Sequence, residues 1–294
     1  ALYFAAFNST TGTELWKSNG TSAGTFLLKD IFPGITGSSP KELTNVNGIL
    51  YFIAQGGANR MGLWKSDGTT AGTLLVKDFT INSSPFSQPM YLTNVNGTLY
   101  FRAYEESSGV ELWKSDGTTA GTILVKDIYP GPDNSYPGNL TNVNGNLIFS
   151  AYDADHGGEL WKTNGTEAGT VLIKDINPGT DNSNPYSVTN VNGTVFFSAA
   201  DGLNGIELWK SDGTAAGTVM VRDISTGSGN CFPTSLVNVN GTLFFSASDD
   251  VNGAELWKSN GTEAGTVMIR DINPGGPSNP SNMFNLNGIL YFTA

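Results

Sequence analysis

The sequence predicts an all-β protein, a six-bladed β-propeller of four-stranded antiparallel blades, and three observations lead to this prediction. A tryptophan recurs about every 48 residues, an Asn-Gly dipeptide recurs with nearly the same period, and no segment shows a helical period. The six tryptophans of the chain mark the repeats: Trp16, Trp64, Trp113, Trp161, Trp209 and Trp257. A self-similar period of this length is typical of one supersecondary unit stacked many times.

The unit around Trp209 shows the four strands in order. Residues 188–197 form two β-rich runs around Asn-Gly, which indicates a two-residue hairpin. A polar loop then leads to the third strand at 207–211, and Asp-Gly turns the chain into the last strand at 218–224. A longer Pro/Gly/Ser/Asn stretch follows. Three short connections and one long one favour a propeller blade running from the innermost to the outermost strand, with an order shifted by one strand as the alternative.

The number of blades depends on the ends of the sequence. Leu-Tyr-Phe-like runs occur at both Leu2 and Leu290, so second strands outnumber the other three types by one. Six blades close if residues 283–287 pair with the N-terminal strands. Seven blades are the alternative, although the last would lack its third and outer strands and the first its inner strand. A segment of a longer array is a further alternative. The spare strand either frays or pairs with another molecule, which would be a route to self-assembly.

Composition limits the class of protein. The even spacing leaves no room for a linker, so we expect a single domain over residues 1–294. A formal net charge of -11 disfavours nucleic acids and anionic membranes as partners. No apolar stretch is long enough for membrane insertion, and the start inside a repeat suggests a processed or excised piece. The lone Cys231 is expected to be a small buried residue.

The run at 111–118, Glu-Leu-Trp-Lys-Ser-Asp-Gly-Thr, is followed by Ala-Gly-Thr, Lys-Asp-Ile and Pro-Gly. This pattern resembles the ELWxxDGT repeat of bacterial secreted and surface proteins, and all six units resemble it. The resemblance implies a β-propeller and an exported location, but no particular reaction. Unit two departs from it, because residues 60–64 read Arg-Met-Gly-Leu-Trp and lack the glutamate. The Asp-Gly-Thr turn is also similar to the structural Asp-box hairpin of sialidase-type propellers.

Repeated carboxylates are the candidate ligand-binding residues. A glutamate precedes the tryptophan by two positions in five units, and acidic loop residues lie upstream of it. The candidates are Glu14, Glu111, Asp153, Asp155, Glu159, Asp201, Glu207, Asp249, Asp250 and Glu255. Calcium prefers such oxygen donors, so calcium is a candidate at Asp153, Asp155, Asp201 and Asp249. The spacing fits no dedicated calcium loop, and structural pairing of each glutamate with a neighbouring lysine is the favoured interpretation.

The other repeated residues favour structural roles. Each tryptophan is expected to pack between adjacent blades, with an aromatic platform for sugar rings as the alternative. His156 is the only histidine, so a histidine-dependent catalytic triad could occur at most once, and we predict no catalytic residues. No cofactor is expected to be required.

These observations favour a non-enzymatic extracellular module that uses repeated blade loops to bind a surface glycan or protein, or to build a surface assembly. The expected location is secreted or at the surface of a bacterial cell. One alternative is a carbohydrate-active hydrolase or lyase with carboxylates near the propeller channel. Another is a structural spacer within a larger surface protein.

Overall fold

A computed structural model describes residues 1–57, 60–80 and 88–294, and every regular element in these ranges is a β-strand. The first sheet has three strands: β1 (Leu2–Asn8), β2 (Gly12–Ser18) and β3 (Phe26–Lys29). Five four-stranded sheets follow. The second sheet holds β4 (Lys41–Val46), β5 (Ile49–Gly57), β6 (Arg60–Ser66) and β7 (Leu74–Thr80), and the third holds β8 (Met90–Val95), β9 (Thr98–Glu105), β10 (Gly109–Ser115) and β11 (Ile123–Lys126). The fourth sheet holds β12 (Gly138–Val143), β13 (Asn146–Asp153), β14 (Gly157–Thr163) and β15 (Val171–Lys174), the fifth holds β16 (Tyr186–Val191), β17 (Thr194–Ala200), β18 (Ile206–Ser211) and β19 (Val219–Arg222), and the sixth holds β20 (Thr234–Val239), β21 (Thr242–Asp249), β22 (Gly253–Ser259) and β23 (Val267–Arg270). The last sheet is the hairpin of β24 (Ser281–Leu286) and β25 (Ile289–Thr293). The described residues contain no helix that could cross a membrane.

The all-β class and the four-stranded antiparallel sheets are confirmed, but the described chain forms seven sheets and not the six that we favoured. β24 pairs with β25, and β1 pairs with β2. The first sheet therefore lacks the strand that opens the others, and the last sheet lacks its third and fourth strands, as the seven-bladed alternative predicts. Pairing across a two-residue turn closes a much shorter loop than any long-range pairing, which favours the local hairpin of β24 and β25.

The chain divides into two compact units, Ala1–Gly138 and Asn139–Ala294. The first unit holds the first three sheets. The second unit holds the later sheets, beginning with β12 at the boundary. The expectation of a single domain stays a prediction.

The hairpin between the first two strands has the predicted turn in every sheet except the first, whose β1 and β2 are joined by residues 9–11. In the fifth sheet, Asn192 has φ 53° and Gly193 has φ 90°. Two successive positive φ values define a type I′ turn, whose twist matches the twist of the paired strands. Asparagine tolerates the left-handed region and glycine is unrestricted there, which is why the dipeptide recurs.

Within each unit, the described cores lie between consecutive sheets, and their largest buried side chains come mainly from the second and third strands. Phe197 on β17 is fully buried and pairs with Trp209 on β18. Trp209 belongs to a cluster that includes Leu160 and Ile173 of the preceding sheet. Burial of a large apolar side chain contributes roughly 2–3 kcal/mol, so the tryptophan stabilises the stacking of one sheet on the next.

Candidate functional site

The repeated glutamate is a buried clamp on the segment that leaves each sheet. Glu159 is fully buried, and its Oε2 accepts hydrogen bonds from Ile176 N at 3.1 Å and Ser183 Oγ at 2.6 Å. Its Oε1 accepts from Asn177 N at 3.3 Å and Ser183 N at 3.2 Å. Glu14, Glu111 and Glu255 bind the equivalent backbone amides and serine. These carboxylates face their own connection. Their predicted role in ligand binding stays a prediction.

Four of the neighbouring lysines bind a carbonyl of the next sheet rather than a glutamate. Lys162, which follows Trp161, donates from Nζ to the carbonyl of Gly213 in the next sheet at 2.7 Å. Lys17, Lys65 and Lys210 make the equivalent bond. The sequence favoured a glutamate–lysine pair. In the structure the glutamate instead binds the connection of its own sheet, and the lysine binds a backbone carbonyl of the next sheet.

Burial raises the pKa of Glu111 and Glu159 to about 7, although the hydrogen bonds that each accepts act in the opposite direction. Burial also raises the pKa of Glu207. Glu207 accepts a hydrogen bond from the buried Cys231, which occupies the position of Ser183 in the preceding connection. Burial raises the pKa of the Cys231 thiol as well, which leaves it protonated and poorly nucleophilic.

The unit without the glutamate has a different outer strand. Gly62 occupies the glutamate position, and β7 continues alongside β6 through the pairs Gly62↔Asp78 and Met61↔Phe79. In the complete sheets that carry a glutamate, the last strand ends before this point. Phe79 is 3% exposed and packs edge-on against Trp113, with ring centroids 5.4 Å apart. An aromatic contact thus replaces the carboxylate clamp.

Asp153, Asp201 and Asp249 cap their own turns. Asp201 Oδ1 accepts from Leu203 N at 2.9 Å and Asn204 N at 2.8 Å, and Oδ2 accepts from Asn204 Nδ2. Asp249 repeats this pattern with Val251 and Asn252. Asp153 accepts from the backbone of Asp155 and His156. Bonds of this kind are typical of Asx turns. Asp250 differs, because it accepts from Ser225 and Thr226 in the connection that precedes its sheet.

The described residues contain no group of three or more His, Cys, Asp or Glu side chains placed to hold a metal ion. His156 Nδ1 lies 2.8 Å from Asp153 Oδ2, and this hydrogen bond raises the pKa of the histidine. The single histidine is therefore engaged by a turn residue. No nucleophile is brought to it by any contact among the residues that the structure describes.

The backbone at the start of the first strands is unusual. In each sheet for which this region is described, one residue just before a proline and another three positions later have φ between 45° and 62°. We call these the strand-start positions: Ser39, Glu42, Tyr91, Tyr136, Asn139, Asn184, Ser187, Phe232, Ser235, Asn279 and Asn282. A left-handed conformation costs a non-glycine residue roughly 1–2 kcal/mol, and for a bulky residue it is an outlier that points to function.

Aromatic side chains at the start of the first strands are exposed. Tyr91, Tyr136, Tyr186 and Phe232 are 40%, 36%, 61% and 54% exposed. Tyr186 pairs with Ser198 across β16 and β17, and the two residues line a recess of about 190 Å³ together with Phe232 of the next sheet. This recess lies wholly within the second unit.

Sequence reasoning missed these residues because it concentrated on what repeats. The sequence indicates them instead through departures from the repeat. Positions 136 and 232 carry aromatic residues where other units have serine, glutamine or asparagine, and position 102 carries arginine where three units have serine. Comparing the six units with one another therefore identifies these positions from the sequence.

Comparison with family models gives no match, and comparison with curated protein sequences gives none either. The resemblance to the ELWxxDGT repeat therefore stays a prediction. Solved structures do match. They include a prolyl endopeptidase (TM-score 0.59, 12% identity), prolyl oligopeptidase B from Galerina marginata (0.56, 11%) and puromycin hydrolase (0.54, 14%).

Each alignment covers 99% of this chain but only 44%, 45% and 47% of those chains, so the chain spans less than half the length of these three proteins. At such low identity the likeness shows the fold alone. The chain has the fold of a β-propeller domain.

Proposed function

We propose that the protein is a non-enzymatic binding module that recognises a surface glycan or protein outside a bacterial cell. The observation that supports this most directly is the pairing of a fixed backbone with varied side chains at the strand-start positions. The same two left-handed residues recur from sheet to sheet, yet the side chains there include serine, glutamate, tyrosine, asparagine and phenylalanine. A backbone conformation that repeats while its side chains vary suits a surface that binds an extended partner at several points.

The buried carboxylates favour binding over hydrolysis as the role of this module. Sugar hydrolysis needs two carboxyl groups that face a common substrate. Glu14, Glu111, Glu159 and Glu255 are instead fully buried and hydrogen-bonded to the connections that leave their own sheets. The exposed aromatic residues provide apolar contact surface without acid–base chemistry.

The test compares two sets of substitutions in the whole chain. One variant replaces Tyr91, Tyr136, Tyr186 and Phe232 with alanine. The control variant replaces exposed apolar residues elsewhere, Leu203 and Val251, which are 78% and 86% exposed. Binding is measured on glycan arrays and on bacterial and host cell surfaces, with folding checked by thermal unfolding.

We expect the aromatic variant to lose most of its binding and the control variant to retain it, because only the residues of the first set lie at, or directly beside, the strand-start positions. Equal binding by both variants would contradict the proposal. Release of new reducing ends from a polysaccharide by the purified protein would also contradict it, because a binding module has no turnover.

A further inference from the structure

The recess beside Tyr186 has the lining of a small ligand site. Tyr186 and Phe232 are exposed at its edge, and Ser198 is buried to 5% exposure. The remaining described lining includes Asn184, Ala200 and Ile206, and it contains no acidic or basic residue. Its volume of about 190 Å³ lies below the range of roughly 300–1,000 Å³ that is typical of sites for drug-sized ligands. The space suits one ring.

The polar groups of the recess are neutral and lie next to aromatic surface. Asn184 Oδ1 accepts a hydrogen bond from Tyr152 at 2.8 Å, which orients the amide and leaves Nδ2 with no acceptor among the described residues. Ser198 Oγ makes only a long bond of 3.4 Å, to the carbonyl of Tyr186. A ligand hydroxyl can therefore replace water at Asn184 Nδ2 and at Ser198 Oγ without breaking a short hydrogen bond within the protein.

We propose that this recess binds one uncharged pyranose ring of a glycan, and this inference rests on the proposed binding function. A pyranose presents C–H groups on one face and hydroxyls around its edge. The electron-rich face of Phe232 or Tyr186 attracts the C–H groups, while Ser198 and Asn184 meet the hydroxyls. The absence of charged lining favours a neutral sugar over an acidic one.

The same chain shows how the recess can be filled. In the third sheet, Arg102 occupies the position of Ser198, paired with Met90 where the fifth sheet has Tyr186. Its Nη2 lies 3.1 Å from Met90 Sδ, and its guanidinium carbon lies 4.8 Å from the ring centroid of Tyr91. Arg102 is only 5% exposed, so this fold accommodates an arginine at the position. Ser198→Arg is therefore a variant with a structural precedent.

The experiment screens wild-type protein on an array of neutral hexose oligosaccharides and titrates the tightest binder by calorimetry. Ser198→Arg and Phe232→Ala are each expected to lower the association constant by about tenfold, because the first occupies the recess and the second removes a stacking face. Phe26→Ala is the matched control. It removes an aromatic side chain that is 44% exposed on β3, outside the recess, and should leave hexose binding unchanged.

Several results would overturn this assignment. Unchanged affinity in Ser198→Arg or in Phe232→Ala would do so, and so would failure of the wild type to bind any neutral hexose oligosaccharide. Binding only to a protein or to acidic glycans, lost in the four-site aromatic variant, would reject the neutral sugar while leaving the proposed function standing. If the four-site variant also bound like wild type, both proposals would fail.

Discussion

At the scale of single residues, Glu159 links parts of the chain that are distant in sequence. Its carboxylate holds the amides of Ile176 and Ser183, and so fixes the route from the last strand of one sheet towards the first strand of the next. Removing such a group would leave several buried amides without an acceptor, at a cost of roughly 1–3 kcal/mol for each. Its protonation state also links folding to pH.

The raised pKa of Glu111 and Glu159 predicts a stability that falls as pH rises. Each folded-state pKa is about 7 against an ordinary 4.5, so folding favours the protonated form. The resulting stabilisation is fully present below pH 4.5 and is lost as pH rises through 7, up to about 3 kcal/mol for each glutamate. Chemical denaturation between pH 5 and 8 measures this decline. The double variant Glu111→Gln, Glu159→Gln should show a shallower decline, and an unchanged slope would contradict the assignment.

Cys231 offers a second residue-scale prediction. Four equivalent connections have serine at this position, namely Ser38, Ser135, Ser183 and Ser278. We expect Cys231→Ser to change the free energy of unfolding by less than about 1 kcal/mol, because the hydroxyl also donates to Glu207. Cys231→Val keeps the shape but removes the donor, and should destabilise by about 1–3 kcal/mol. Equal stability of the two variants would show that the hydrogen bond to Glu207 contributes nothing.

The glutamates could be located from the sequence, but their partners could not. Their spacing from tryptophan is a local pattern, whereas Ser183 is separated from Glu159 by a long connection whose path no periodicity reveals. The strand-start positions were missed for a related reason. A positive φ is ordinarily read from glycine or asparagine, so Tyr136 and Phe232 give no local indication of it.

At the scale of elements, the sheet of β4 to β7 shows what a single missing side chain changes. With glycine at position 62, β7 extends to Thr80 and brings Phe79 against Phe101 and Trp113. The exposed ion pair between Arg60 and Asp78 at 2.8 Å adds little, as surface pairs usually do. The alternation and turn residues predicted the strands of this sheet correctly. The length of the last strand depends on whether its backbone pairs with the third strand or bends away to bind a glutamate, and only the folded structure shows which occurs.

Restoring the common residue should therefore harm this sheet. A Cβ at Gly62 would lie 2.8 Å from Trp64 Nε1 and still closer to Leu75 Cδ1. We expect Gly62→Glu to destabilise the protein by about 1–3 kcal/mol through overpacking, as measured by urea denaturation. Gly56→Ala is the control, because among the described residues its added Cβ meets only Trp64, at an ordinary 3.5 Å. Stabilisation by Gly62→Glu would show that the clamp can displace Phe79.

At the scale of the whole molecule, stacked sheets give a stability that varies along the chain, because each sheet depends mainly on its neighbours. The two-stranded sheet of β24 and β25 is the most exposed, with Phe284 53% and Ile289 58% accessible. A hairpin of this size is marginal without further partners. The sheet count could not be predicted firmly because the terminal strands resemble internal strands that pair on both sides.

The greater exposure of the sheet of β24 and β25 predicts that amide hydrogen exchange varies along the chain. We expect amides in residues 281–293 to exchange much faster than those in residues 186–200, where Phe197 and its neighbours are buried. Exchange measured by mass spectrometry at neutral pH would resolve the two segments. Equal protection would indicate that β25 gains another strand partner in solution, which is the self-assembly that the sequence raised.

The left-handed residues at the strand starts have a consequence for how new binding properties could arise. Because the backbone there holds Ser39, Asn184 and Phe232 in the same conformation, a change of specificity requires no change of loop length or path. Single substitutions can vary the surface much as they vary a rigid paratope, with little conformational entropy lost on binding. The propeller is in this sense a ready scaffold for selecting binders from a library confined to these few positions.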